Sequence, residues 1–258
     1  MTKLKAKTKN PVIAVAQIRY FDTPEKHNVA KIKKYIALAA KAGADIICFP
    51  ETCVHKTDFL RFDDKFIKEI RESCKENNIW TIITDRFIKN SVDYKISLLI
   101  DRQGKIKGDY KKINLYGDTG GATPGNKIFV YQADFAKIGI AICWDLAFPE
   151  IFSKMKKAGA EIVFCPSYWC YEYIAHEKDH KARELNLIKS LVLSRAFENL
   201  FFLAYVSPIT KEPDLISYSA IVGPHRILKD IKDREGLILQ KINLKEIKKF
   251  SKVYPNKN

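Results

Sequence analysis

One nine-residue pattern occurs twice in this chain. Ala42-Gly43-Ala44-Asp45-Ile46-Ile47-Cys48-Phe49-Pro50 returns as Ala158-Gly159-Ala160-Glu161-Ile162-Val163-Phe164-Cys165-Pro166. Each copy reads as a helix end stopped by glycine, an acidic turn residue, and a short buried strand closed by proline. Any helix–strand unit could converge on such a pattern. Agreement at both Ala-Gly-Ala triplets and at the closing proline predicts more: two similar halves joined in one fold with internal pseudo-symmetry. The copies part at the next residue, where Glu51 follows the first proline and Ser167 the second.

The rest of the chain has the same rhythm. Val12–Gln17, Ile46–Phe49, Trp80–Thr84, Ile138–Cys143, Ile162–Cys165 and Leu200–Val206 are continuous apolar runs of strand length. Between them, Val29, Ile32, Ile36 and Ala40 mark one face of a helix. Phe66, Ile67, Ile70 and Cys74 mark another behind the acidic start Asp63-Asp64, and Leu185, Ile188, Leu191, Val192 and Ala196 a third. This alternation predicts an α/β domain with helices layered on sheets. Ser217–Val222 and Gly236–Ile242 read as closing strands, with a short basic tail after them. Residues 1–10 read as a flexible basic tail, and 11–258 as one domain.

A formal net charge of +15 raises the question of a nucleic-acid partner. Four lysines (Lys3, Lys5, Lys7 and Lys9) lie in the N-terminal tail, and the others are dispersed along helix faces. No nucleic-acid motif or basic–aromatic platform accompanies them, so nucleic acid is not the expected partner. No apolar run approaches the roughly 20 residues that span a bilayer, and the N-terminus carries no secretion signal. None of the six cysteines forms a C-x-x-C pair, and several end apolar runs, so thiols in a reducing compartment are expected. These features predict a cytoplasmic protein outside the membrane.

Three segments could carry chemistry. In Phe49-Pro50-Glu51-Thr52 a carboxylate sits at the carboxyl end of a buried strand, where α/β sheets place ligands; it could shuttle protons, or merely cap a turn. In Tyr110-Lys111-Lys112 one lysine could hold a developing oxyanion, or both could face solvent. In Ile140-Ala141-Ile142-Cys143-Trp144-Asp145 a buried strand ends on cysteine, and Pro149-Glu150 then starts a helix. A thiol presented at such a turn could be a nucleophile whose thiolate the helix end favours, or another core cysteine like Cys48 and Cys165. None of the five histidines stands where a Cys–His pair would place it.

Taken together and in this order, the segments resemble the nitrilase, or carbon–nitrogen hydrolase, superfamily. The resemblance runs from Ala14-Val15-Ala16-Gln17 through the three segments above to Ser194-Arg195-Ala196-Phe197-Glu198-Asn199 and Ser219-Ala220-Ile221-Val222-Gly223-Pro224. It implies an αββα sandwich. It implies catalytic roles for Glu51 as general base, Lys112 as charged stabiliser and Cys143 as nucleophile, with no metal and no organic cofactor. A thioester acyl-enzyme, a small-molecule amide or nitrile substrate and a homodimer or higher homo-oligomer follow from the same resemblance. The stripe Leu185, Ile188, Leu191 and Val192 would serve either that interface or the core of a single chain.

Departures from the family pattern bear on substrate. Where many members carry a second glutamate, this chain has Asp118, expected to keep the charge with a shorter reach; aspartate before glycine can also simply cap its own turn. Ala147 stands where members acting on dicarboxylate monoamides often have arginine, and Leu187-Ile188-Lys189 where they often have His-Trp-Glu. Both count against an omega-amidase. Asn114 replaces a usual histidine. Trp144, Tyr168 and Trp169, with Tyr171 and Tyr173, are expected to wall an aromatic substrate pocket. The reading is an amidase-type hydrolase releasing ammonia or an amine. A nitrilase or an N-carbamoyl amine hydrolase is the alternative within the enzyme class, and a non-catalytic basic scaffold or nucleic-acid-binding protein the alternative outside it.

Overall fold

The computed structural model describes residues 10–22, 24–57, 59–117, 121–175 and 178–254. The predicted N-terminal tail through Lys9, and Asp118, lie outside the described residues.

The repeated pattern folds as a repeated unit. Strand β1 (Val12–Gln17) leads through α1 (Val29–Lys41) to β2 (Ile46–Cys48), and through α2 (Lys65–Glu76) to β3 (Trp80–Lys89), β4 (Val92–Ile100) and β5 (Ile106–Lys111). After β6 (Phe129–Gln132) the sequence of elements recurs: β7 (Lys137–Ile140), α3 (Pro149–Lys157), β8 (Ile162–Pro166), α4 (His180–Asn199), β9 (Phe202–Val206), β10 (Tyr218–Val222) and β11 (Ile227–Lys232). Strand β12 (Gly236–Lys241) and helix α5 (Lys245–Val253) close the chain. Two six-stranded sheets result, ordered β12-β1-β2-β3-β4-β5 and β11-β10-β9-β8-β7-β6. In each, a central parallel trio is continued by antiparallel strands.

The two copies of the pattern do the same physical work. Gly43 and Gly159 take φ of +82° and +87°, which lets each helix end turn back on itself. The N–H of Ala44 then reaches Ala39 O at 3.0 Å, and that of Ala160 reaches Met155 O at 3.0 Å. The acidic turn residue next ties its strand to a neighbour. Asp45 accepts from the N–H of Val12 at 3.0 Å, and Glu161 from that of Lys137 at 2.9 Å. Each strand so registered runs parallel to both neighbours, β2 between β1 and β3, β8 between β7 and β9.

The sheets face each other with helices outside. Along β1, Ile13 and Val15 enter the core shared with the second sheet, while Ala14 and Ala16 pack with Ile32, Ile36, Ile67 and Ile70 of α1 and α2. Ile151, Phe152 and Met155 of α3 and Ile188 and Val192 of α4 cover the second sheet. The architecture is the expected αββα sandwich. Of the two readings left open for the α4 stripe, Leu185, Ile188 and Val192 follow the second and are buried within the single chain. One expectation is corrected: residues 245–253, within the stretch read as a tail, form α5.

Candidate active site

Glu51 leaves the end of β2 directly behind Pro50, and Cys143 leaves the end of β7, so the two come from opposite sheets. The backbone joins them across the seam. Glu51 N–H donates to Ser167 O, its counterpart in the second copy of the pattern, at 3.3 Å. Its own carbonyl accepts from Tyr20 Oη at 2.5 Å. The side chain is buried and takes an ammonium from Lys112 at 3.0 Å. Lys112 follows β5, and strand alternation sends its neighbour Lys111 the other way, over the Tyr94 ring at 3.6 Å.

Cys143 opens a 3₁₀ turn, Cys143–Ala147, at φ +47°. This left-handed setting is strained for a side chain with a Cβ and breaks the strand sharply. The buried Asp145 carboxylate holds the turn. One oxygen accepts from Ile142 N–H at 2.9 Å and Tyr110 Oη at 2.7 Å, the other from Asn114 N–H and Nδ2 at 2.8 and 3.1 Å. Asn114, at the family's histidine position, thus braces the turn. From α4, Arg195 Nε donates to Leu146 O at 3.1 Å and fixes the turn's far end.

Electrostatics follow from burial and charge. Burial alone would raise Glu51; the ammonium of Lys112, then that of Lys95, outweighs it and holds the carboxyl at about 2. Burial likewise disfavours the charged form of Lys112, but the Glu51 carboxylate wins and keeps its pKa raised. After the two lysines, the Cys143 thiol also favours the ionised form of Glu51. Burial pushes that thiol up to about 12, opposed by the Lys112 charge and by the Tyr168 N–H. The sequence reading of a thiolate favoured by a helix end is corrected here. Helix α3 begins only at Pro149, beyond the 3₁₀ turn, and desolvation dominates.

Glu51, Lys112 and Cys143 lie together in a cavity of about 950 Å³. Trp144, Trp169 and Tyr116 line it, with Tyr20 and Tyr168 also on its wall. Trp144 packs against Tyr116 and Trp169 at ring distances of 4.7 and 5.3 Å. Tyr171 and Tyr173, expected in this wall, do not line it; they pack on each other and on His180. Among the described residues no cluster of three His, Cys, Asp or Glu could hold a metal ion. All six cysteines are free thiols.

The carbon–nitrogen hydrolase family profile matches residues 12–252. The chain belongs to that family. Among curated carbon–nitrogen hydrolases it is similar to the 2-oxoglutaramate amidase of Bacillus subtilis, with 24% identity over 85% of each chain. Among solved structures it is similar to Saccharomyces cerevisiae Nit3, a member of branch 10 of the nitrilase superfamily. There the TM-score is 0.84, with 18% identity over 98% of each chain. A mutant amidase from Nesterenkonia sp. AN1, which shows covalent addition of the acetamide moiety of fluoroacetamide at its active site cysteine, matches with a TM-score of 0.78. It is 20% identical over 96% of this chain and 97% of its own.

Within this carbon–nitrogen hydrolase, two residues at the site escaped the sequence reading. Lys95 of β4 approaches the Glu51 oxygen already held by Lys112, at 3.3 Å. Glu184 of α4 is buried beside the cavity and accepts from Trp169 Nε1 at 2.7 Å. Lys95 hides in a lysine-rich chain, and only the pairing of β4 with its neighbours reveals where it points. Glu184 lay one residue before an apolar stripe, where an acid ordinarily marks a solvated helix start.

Proposed function

We propose that the protein hydrolyses a small amide through a thioester on Cys143, with Glu51 moving the protons and Lys112 holding the developing oxyanion. The observation that carries this reading is the meeting of all three side chains in one aromatic-walled cavity. At rest the proton belongs to sulfur, given a thiol pushed up to about 12 beside a carboxyl held at about 2. It therefore moves to Glu51 only as Sγ bonds to the carbonyl carbon and the C=O electron pair passes to oxygen. Lys112 Nζ has three protons, one directed to Glu51, and it meets that oxygen together with the N–H following the nucleophile. Collapse breaks the C–N bond, and Glu51 returns its proton to the leaving nitrogen. Glu51 then takes a proton from water as the water oxygen bonds to the thioester carbon; collapse breaks the C–S bond, and the departing thiolate recovers the proton.

Trp144, Tyr168 and Trp169 are the proposed substrate-contacting walls. Asp118 is proposed as the second carboxylate of the site. Asp118→Asn is expected to lower kcat, and Asp118→Glu, which restores the family residue, to be tolerated. The working form is proposed to be at least a dimer in the cytoplasm. The similarity to a 2-oxoglutaramate amidase supports amides over nitriles as the substrate class. Intact-protein mass spectrometry with a panel of amides, nitriles and carbamoyl compounds tests the reading. An acyl adduct is expected with amides, absent in Cys143→Ala. Ammonia release that persists in Cys143→Ala would overturn it.

A further inference from the structure

The sheet carries a row of positive charge where strand pairing would ordinarily avoid one. Arg86 of β3 is paired directly with Lys95 of β4, and Lys95 O in turn accepts the N–H of Lys112 at 2.9 Å. Residues opposite one another in antiparallel strands share a face, and like charges there are destabilising. All three side chains line the cavity. Arg86 is compensated by Asp93 at 2.8 Å. The ion pairs of Lys112 and Lys95, among the described residues, go to one atom, Glu51 Oε1, at 3.0 and 3.3 Å. The two lysines differ in setting: the Lys112 side chain is 3% exposed and that of Lys95 19%.

We propose that Lys95 is a second cation of the catalytic centre, a positioning residue that shares Glu51 Oε1 with Lys112, fixes that carboxylate, and leaves the site one positive charge beyond what Glu51 neutralises. This rests on the catalytic reading of Glu51 and Cys143 above. The excess charge favours an anion in the site: the Cys143 sulfur when its proton is lost to solvent, and the substrate oxygen during turnover. Nearby carboxylates do not cancel it through direct pairing. Asp85 accepts from the backbone N–H groups of Val54, His55 and Arg86, and Asp145 from Ile142, Tyr110 and Asn114. The other titratable groups facing Glu51 or Cys143 are Tyr20, Tyr205, Cys165 and Cys170, all held protonated by burial, and the one facing Lys95 is Asp85, which burial raises to about 7. Removing Lys95 would leave Lys112 alone beside the Glu51 carboxylate, so a thiolate formed by loss of its proton to solvent, as in alkylation, would give the cluster a net negative charge in a desolvated site.

The experiment needs no substrate. Iodoacetamide alkylation of Cys143 is followed by peptide mass spectrometry from pH 6 to 9 in wild type, Lys95→Met and Lys95→Arg, with thermal unfolding confirming that each variant is folded. Lys95→Gln is a second neutral variant should the methionine form fail to fold. Losing the charge is expected to move the alkylation profile upward by about one pH unit, which is about tenfold in rate at fixed pH, because one pKa unit corresponds to tenfold. Lys95→Arg is expected to stay close to wild type. Superimposable profiles for wild type and a neutral variant would overturn the role of Lys95 while leaving Cys143 as nucleophile. A wild type in which Cys170 is labelled and Cys143 is not would overturn the catalytic reading, and this inference with it.

Discussion

Lys111 and Lys112 are neighbours in sequence and opposites in environment, one stacked over Tyr94 and the other buried against Glu51. Lys112→Ala is therefore expected to lose about 2–4 kcal/mol of transition-state stabilisation, the scale of a lost oxyanion donor, read as kcat on a confirmed substrate. Lys111→Ala is expected to change kcat little. Equal losses would show that the buried ammonium has no special part. Thiols divide in the same way. Burial raises both Cys143 and Cys170 to about 12, but Cys143 faces Lys112, whereas Cys170 faces Asp214, which raises it further. Charge, and not accessibility alone, is therefore expected to make Cys143 the more readily alkylated of the two.

At the scale of elements, the turn that carries Cys143 depends on Asp145. Asp145→Asn keeps the volume but presents an amide N–H₂ where the carboxylate accepts from two donors on each oxygen. The expected result is a loss of about 2 kcal/mol in urea unfolding together with a lower kcat. Full stability with full activity would show that the turn holds without it. The elements readable from sequence were those buried on both faces, such as β1, whose limits Val12–Gln17 were recovered unchanged. Strands β5, β6 and β11 were not; all are partly exposed sheet edges, β5 and β11 with lysine-bearing sequences and β6 only four residues long. Half of β4 is equally polar, and that half holds Lys95. Glu51 and Cys143 were legible because each follows a buried strand, whereas Lys112, behind the partly exposed β5, was legible because the three together matched a family pattern. Lys95 required the register of two strands, which no local periodicity encodes.

For the whole molecule, the buried carboxylate gives stability a pH dependence with a defined sign. Glu51 is held at about 2, below the roughly 4.3 of a glutamate in an unfolded chain. Its contribution is thus complete above about pH 4.3 and is lost as pH falls toward 2. Glu51→Gln, which leaves two ammoniums without their anion, is expected to cost about 3 kcal/mol at pH 7, and less at pH 3. Urea unfolding at both values measures this; a cost that does not shrink at low pH would refute it. Assembly is the other property at this scale. The α4 stripe is core, but Phe197, Val253 and Tyr254 remain exposed, with His225 packed among the rings. Light scattering is expected to return at least twice the 29.7 kDa chain mass at micromolar concentration, and a monomer would count against the dimer.

The hydrogen bond from Glu51 to Ser167 crosses from one repeat to the other, and Cys143, the proposed nucleophile, stands on the far side of that crossing. Neither repeat holds the proposed catalytic centre alone. A chain severed between β5 and β6 would yield two inert fragments, and turnover would return only on their reassociation, with second-order kinetics in fragment concentration. In the intact protein the same arrangement ties catalysis to cohesion. Heat inactivation and loss of tertiary structure should follow one curve, since parting the layers separates the proposed base from the proposed nucleophile.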